Sequence, residues 1–191
     1  FAAIASTSPI LTWISIEATT LSTAFLISFY NKPSALEAAW KYLIINSIGL
    51  LLGFFGTLLY FTSLETTGER GIATWSTLLS HTTHLDPIIA KIAFIFVLIG
   101  YGTKMGLAPM HTWLPDAHGK APAPISALLS GVLLNVAFIA VLRFKIITDT
   151  TVGFEFSQKL FIVFGLFSVA VAALIVFTQK HYKRLLAYSS V

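Results

Sequence analysis

Apolar residues run along this chain in stretches close to the length of a membrane crossing, and its few charges fall mostly between them. The pattern predicts helices over 9–31, 37–63, 87–114, 122–144 and 158–179, with another beginning in 181–191. Tyr42–Leu64, Ala121–Leu142 and Leu160–Gln179 hold no charge, Phe1–Asn31 holds only Glu17, and Ile92–Pro115 holds only Lys104. An α-helix needs roughly 20 apolar residues to cross hydrocarbon. Open strands cannot satisfy their backbone there, and barrel strands are about half this length. The expected fold is therefore an all-α integral membrane helix bundle, one transmembrane unit over 1–191. A signal peptide is a poor reading of the first run, which lacks a basic leader and carries an acid in its apolar part.

Composition agrees. Of 191 residues, 56% are hydrophobic and 10% charged, against about 25% charged in an ordinary soluble domain, and the mean hydropathy is +0.83. The chain has no Cys, which excludes thiolate-held iron–sulfur clusters, thiolate zinc sites, disulfides and covalent c-type haem. Any redox centre must sit on another chain. Lys32, Lys41, Lys120, Lys180, Lys183 and Arg184 fall in one set of loops against only Glu37 and Asp116. The opposite set balances Arg70, Lys91, Arg143, Lys145 and Lys159 with Glu65, Glu69, Asp86, Asp149 and Glu155. The basic excess assigns the first set to the cytoplasm, so the net charge of +4 reflects topology and not nucleic-acid binding. The connection from Thr66 to Pro87, with Gly68, Gly71, His81 and His84, then lies outside. Since the chain begins at Phe1 and ends at Val191 inside a patterned segment, it reads as a piece of a longer protein.

Glu17 lies eight residues past Pro9, about 12 Å along a helix and inside the apolar layer. A carboxylate there must be protonated, paired or hydrated, and buried ionisable groups in membranes mark ion pathways; a structural bond to a neighbouring helix is the other reading. Lys104 sits near the middle of its run, too deep to reach the interface easily. Gly100, Gly102 and Gly106 surround it and Pro109 follows. The helix is therefore expected to break around Lys104, with freed backbone groups lining a cavity. His111 follows seven residues later and would share a face with Lys104 if the helix resumed. A proton relay suits it, since imidazole titrates near neutrality. His111, Asp116 and His118 match no common metal-ligand spacing. Asn135, lipid-deep on the next helix, could orient water or bond another helix. Gly49, Gly53 and Gly56 line the second helix at a spacing that permits close helix approach.

The stretch Gly102-Thr103-Lys104-Met105-Gly106-Leu107-Ala108-Pro109-Met110-His111-Thr112-Trp113-Leu114-Pro115-Asp116-Ala117-His118, continued by Ala121-Pro122-Ala123-Pro124-Ile125-Ser126-Ala127-Leu128-Leu129-Ser130-Gly131, resembles one membrane family. These are the antiporter-like, proton-translocating subunits shared by respiratory complex I, group 4 membrane-bound nickel–iron hydrogenases and multisubunit Na+/H+ antiporters. The likeness is closest to the hydrogenase branch. Trp13 to Glu17, Lys41-Tyr42 and Lys183-Arg184-Leu185-Leu186-Ala187-Tyr188-Ser189-Ser190-Val191 extend it over nearly the whole chain. The resemblance implies the middle of a fold of about fourteen helices built from inverted repeats. It matches Glu17 to the family's membrane glutamate, Lys104 to its central lysine on a discontinuous helix, and Lys41 to a basic residue near the interface. Where many complex I members carry a second lysine, this chain has Asn135, so His111 or water would have to take the proton instead.

What the resemblance implies is a multi-pass subunit of a bacterial or archaeal cytoplasmic membrane that moves protons in a redox-driven complex of NADH:quinone oxidoreductase or hydrogenase type. It would have no cofactor of its own. Other antiporter-like and quinone-site membrane subunits would be its partners, together with peripheral subunits carrying iron–sulfur clusters and flavin or nickel–iron. The expected device is a Glu17–Lys104 ion pair. At about 4 Å and an effective dielectric near 20 such a pair is worth roughly 4 kcal/mol, comparable to the ~3.5 kcal/mol needed to move a proton against about 150 mV. The same pair would serve a Na+ or K+/H+ antiporter subunit without electron transfer, and a scaffold with idle polar residues is a third reading.

Overall fold

The computed structural model describes residues 1–65 and 74–191; Gly68, Gly71, Glu69 and Arg70 of the outer connection, and the side chain of Glu65, lie outside the described residues. Within them every regular element is helical: α1 (Ala2–Ala5), α2 (Pro9–Ile27), α3 (Pro33–Glu65), α4 (Trp75–Ser80), α5 (Pro87–Met105), α6 (Trp113–Lys120), α7 (Ala123–Leu128), α8 (Leu134–Val152), α9 (Phe154–Val176) and α10 (Tyr182–Tyr188). Five spans are long and apolar enough to cross a membrane: Pro9–Ile27, Pro33–Leu64, Pro87–Lys120, Ala123–Val152 and Phe154–Val176.

Several span ends differ from those drawn on the sequence, for local reasons. Proline at the first helical position starts the second span at Pro33, because its fixed φ suits a helix and its missing N–H is not needed there. The fourth span passes Arg143 and Lys145 and continues to Val152, since Lys145 pairs with Asp149 one turn on and Arg143 donates to the Ile4 carbonyl at 2.6 Å. In the third span Asp86 caps α5 by accepting from the Ile88 and Ile89 amides at 2.7 and 3.2 Å, and Pro87 follows it.

α5 ends one residue after Lys104. Gly106 adopts φ +84°, the left-handed conformation that costs glycine nothing. Its amide and that of Leu107 turn back to the Thr103 and Gly102 carbonyls at 3.1 and 2.8 Å, closing the helix. A short 3-10 turn at Met110–Thr112 leads into α6, so the chain crosses as two half-helices. The fourth span carries a second irregularity, a π-helical turn at Leu129–Leu133 between α7 and α8.

Lipid is as apolar as a leucine core, so close packing and hydrogen bonds hold these helices together. α3 and α5 meet through glycine. A Cβ on Gly100 would fall 2.3 Å from the Gly53 nitrogen, and one on Gly49 would fall 2.6 Å from the Thr103 side chain. The α5 face includes Phe94, Val97, Leu98 and Tyr101, which pack with Tyr60 of α3 and with Val141 and Phe144 of α8. α2 lies against α3, where the Trp13 indole donates to the Leu50 carbonyl at 2.6 Å. α9 is the most exposed span.

Candidate functional site

Three helices converge on Lys104. The helix-end geometry puts it in the last turn of α5, next to the negative end of the backbone dipole, where its side chain is 1% exposed. Its ammonium donates to Thr20 Oγ1 of α2 at 2.9 Å and to the Tyr42 hydroxyl of α3 at 2.7 Å. The Tyr42 ring centroid is 4.5 Å from Nζ and that of Trp113, across the helix break, is 5.9 Å. Trp113 is fixed in turn by donating to the Thr103 carbonyl at 2.8 Å.

The hydroxyls are turned to suit a cation. Thr20 donates to the Ile16 carbonyl at 3.2 Å, and Thr23 donates to the Thr19 carbonyl at 2.6 Å. Tyr42 and Thr23 oxygens are 2.6 Å apart. An ammonium only donates, so the Tyr42 oxygen accepts from Lys104 and its own hydrogen is available to Thr23. Of the three ammonium hydrogens, two are thus engaged and the third has no hydrogen-bond acceptor among the described residues.

Glu17 lies one turn before Thr20 on α2. Its Oε1 accepts from the Ser47 hydroxyl of α3 at 2.7 Å, and its Oε2 is buried without a partner. The expected direct ion pair with Lys104 is not formed here. Hydroxyls hold the two charges separately: Ser47 the carboxylate, Thr20 and Tyr42 the ammonium.

Other expected residues are placed around this centre. Lys41 precedes Tyr42 on α3 but points outward, bonding Glu37 at 2.7 Å and Asp116 at 3.4 Å. His111 is not on a continuous helix with Lys104, because the chain breaks between them. It is 6% exposed, its Nδ1 lacks a partner, and its ring is 6.1 Å from that of Tyr188. Asn135 follows the π-helical turn, donates to the Gly131 carbonyl at 2.8 Å, and lines an open cavity of about 190 Å³ with Met105, Leu107 and Ser190. Among the described residues no group of His, Asp and Glu could hold a metal.

Ser47 and Asn46 were not singled out from the sequence. Helical spacing carried a signal for part of this set: Tyr42, Asn46, Gly49, Gly53, Thr57 and Tyr60 recur every three or four residues along α3, and all are buried. Asp116, read from the sequence as a loop charge and weighed with His111 and His118 as a metal ligand, instead ties Lys41 of α3 to Arg184 of α10.

The family model described as "NADH:quinone oxidoreductase/Mrp antiporter, TM" matches residues 6–191. A hydrogenase-4 component F homolog of Methylacidiphilum infernorum is 48% identical over 183 residues, covering 95% of this chain and 38% of that protein. NAD(P)H-quinone oxidoreductase chain 4 of Gloeobacter violaceus is 31% identical over 179 residues, covering 87% of this chain and 30% of that protein. This chain thus spans well under half the length of both curated relatives. Among solved structures, a chain of the membrane-bound sulfane sulfur reductase, an archaeal respiratory membrane complex, superposes with a TM-score of 0.89 at 25% identity, over 100% of this chain and 38% of that one. A chain of respiratory complex I from Thermus thermophilus gives 0.80 at 25% identity, over 99% and 39%.

Proposed function

Because the chain belongs to the NADH:quinone oxidoreductase/Mrp antiporter transmembrane family, we propose that it is part of a proton-translocating membrane subunit of a redox-driven complex, of hydrogenase or complex I type, and that protons pass by way of Lys104 and Glu17. The observation that carries this is a pair of complementary unmet valences. Glu17 Oε2 is a buried acceptor without a donor, and Lys104 keeps one ammonium hydrogen without an acceptor. Buried polar groups are otherwise nearly always satisfied. A movement of α2 or of either side chain that brought the two together would satisfy both at once.

The arrangement then has two states. In the one described, hydroxyls hold the charges apart; in the other, Glu17 leaves Ser47 and pairs with Lys104. A pair at about 4 Å in an effective dielectric near 20 is worth roughly 4 kcal/mol, enough to decide whether the ammonium keeps its proton. Tyr42 and Thr23 offer a hydroxyl chain leading away from Lys104, Lys41 and Asp116 stand at the end of the bundle beyond it, and His111 and Asn135 border the helix break as onward stations. Free energy for the cycle would come from redox partner subunits, to which this chain would be coupled through neighbouring membrane subunits.

The test is Lys104→Met in the full-length protein within its complex, reconstituted into vesicles. Electron transfer should persist while protons moved per electron fall by at least the share carried by this subunit. An unchanged proton yield would overturn the reading. Repeating the measurement with an imposed Na+ or K+ gradient separates it from cation exchange without electron transfer, which would respond to the gradient and not to the electron donor.

A further inference from the structure

Where the N-terminal end of α3, the C-terminal end of α6 and the start of α10 meet, they border a half-open cavity of about 510 Å³, within the roughly 300–1,000 Å³ typical of small-ligand sites. Lys41, Lys120, Lys183 and Arg184 supply four cations to its lining, against the two carboxylates of Glu37 and Asp116. The acids are already engaged: Asp116 takes Arg184 and Lys41, and Glu37 takes Lys41. Lys120 and Lys183 form no ion pair among the described residues, and Lys183 reaches only the Ala121 carbonyl at 3.4 Å. The cavity therefore carries an excess of two positive charges, both on side chains without a carboxylate.

Its depth in the bilayer follows from the length of α3. Thirty-three residues make a helix about 50 Å long, whereas the hydrocarbon layer is about 30 Å thick. Roughly 10 Å of helix at each end therefore lies among the headgroups, and at this end that is the first two turns, from Pro33 to about Trp40. Tyr182, which lines the cavity, and Trp40, next to Lys41 in the chain, are 74% and 57% exposed, as aromatic residues are at a membrane–water boundary. Basic pockets at this depth attract anionic headgroups.

From this charge and depth we infer that the cavity binds the phosphate of an anionic phospholipid, with Lys120 and Lys183 as its principal ligands. Lys41 and Arg184, held by Asp116, complete the positive wall. Since the lipid is bound at the junction of α3, α6 and α10, it would fasten α10 to the helix that follows the break. Lys41 and Asp116 are shared with the outer end of the proposed proton route, but the principal ligands Lys120 and Lys183 are not on it, so either reading can fail without the other.

The test uses the full-length protein reconstituted into nanodiscs of phosphatidylcholine and phosphatidylglycerol and then extracted in detergent, with co-purifying lipid counted by native mass spectrometry. Wild type should retain phosphatidylglycerol in preference to phosphatidylcholine. Lys120→Gln with Lys183→Gln should lower that retention about thirtyfold, equivalent to ~1 kcal/mol per lysine. Lys120→Arg with Lys183→Arg should keep it, which separates loss of charge from loss of fold. Lys91→Gln with Lys159→Gln, at the opposite end of the bundle, should leave it unchanged. Equal retention by the wild type and the glutamine pair would overturn the inference. So would displacement of the lipid by inorganic phosphate alone, which would mark a site for a free soluble anion.

Discussion

Ser47 of α3 donates to Glu17 of α2 at 2.7 Å, and this bond holds one carboxylate oxygen while the other is buried without a donor. A hydrogen bond to a charged group is worth about 1.5–3 kcal/mol. Ser47→Ala should therefore shift Glu17 toward Lys104 by about tenfold or more. In vesicles the full-length variant should translocate protons more slowly, and Ser47→Thr should restore the rate. A wild-type rate in the alanine variant would remove Ser47 from the cycle.

Glu17→Gln keeps an oxygen for Ser47 and removes the charge. The full-length variant should assemble and melt close to wild type, because the bond between α2 and α3 survives. Proton translocation should nevertheless be lost. If pumping persisted with glutamine at this position, the carboxylate would not be the group that exchanges with the ammonium.

Tyr42→Phe leaves the ring over Lys104 but deletes the hydroxyl that accepts from the ammonium and meets Thr23. Loss of one acceptor beside a buried charge should destabilise the folded protein by about 1–3 kcal/mol, read as a lower melting temperature. Thr20→Val removes the other acceptor and should cost a similar amount. The double variant should lose more than the sum, because Lys104 then has no acceptor at all among these residues.

Gly100→Ala drives a methyl group into Gly53 of α3 at 2.3–2.5 Å, against backbone atoms that cannot yield. Overpacking of this kind costs about 1–3 kcal/mol or more, so the variant should show reduced yield of folded protein and a lowered melting temperature. Gly119→Ala is the contrast, meeting only a flexible Arg184 methylene at 3.4 Å, and should be tolerated.

Arg184→Ala should free α10. The guanidinium bonds Asp116 across the end of the bundle, and without it amide hydrogen exchange should rise over α10 while α3 and α5 stay protected. Equal exchange in both proteins would show that the packing of Ala187 and Tyr188 of α10 against the bundle is sufficient on its own.

The break after Lys104 was legible because two backbone rules coincide there: Gly106 can take a left-handed turn and Pro109 cannot continue a helix. The membrane class was equally plain from run lengths free of charge. What could not be read was which neutral groups would serve the two buried charges. Ser47, Thr20 and Tyr42 are ordinary residues on apolar helices, and their role depends on the rotation of α2 and α3 about their axes, of which the glycine contacts at Gly49, Gly53 and Gly100 set only that of α3 against α5. The π-helical turn before Asn135 leaves no residue signature, since Leu129–Leu133 would pass for regular helix on composition alone. Nor could the double role of Asp116 be seen, because Lys41 and Arg184 reach it from positions 75 and 68 residues away along the chain.

The glycine seam between α3 and α5 has a mechanical consequence. Backbones in such close contact cannot slide past one another without collision, so the pair forms a stiff frame holding Lys104 and Ser47 at fixed stations. α2 differs in kind. Thr12, Thr19, Thr20, Ser22 and Thr23 all turn their hydroxyls onto carbonyls of the preceding turn, a habit that loosens and bends a helix. The compliant member is thus the one that bears Glu17, a plunger set against a rigid cylinder wall, and force delivered to α2 is force delivered to the carboxylate.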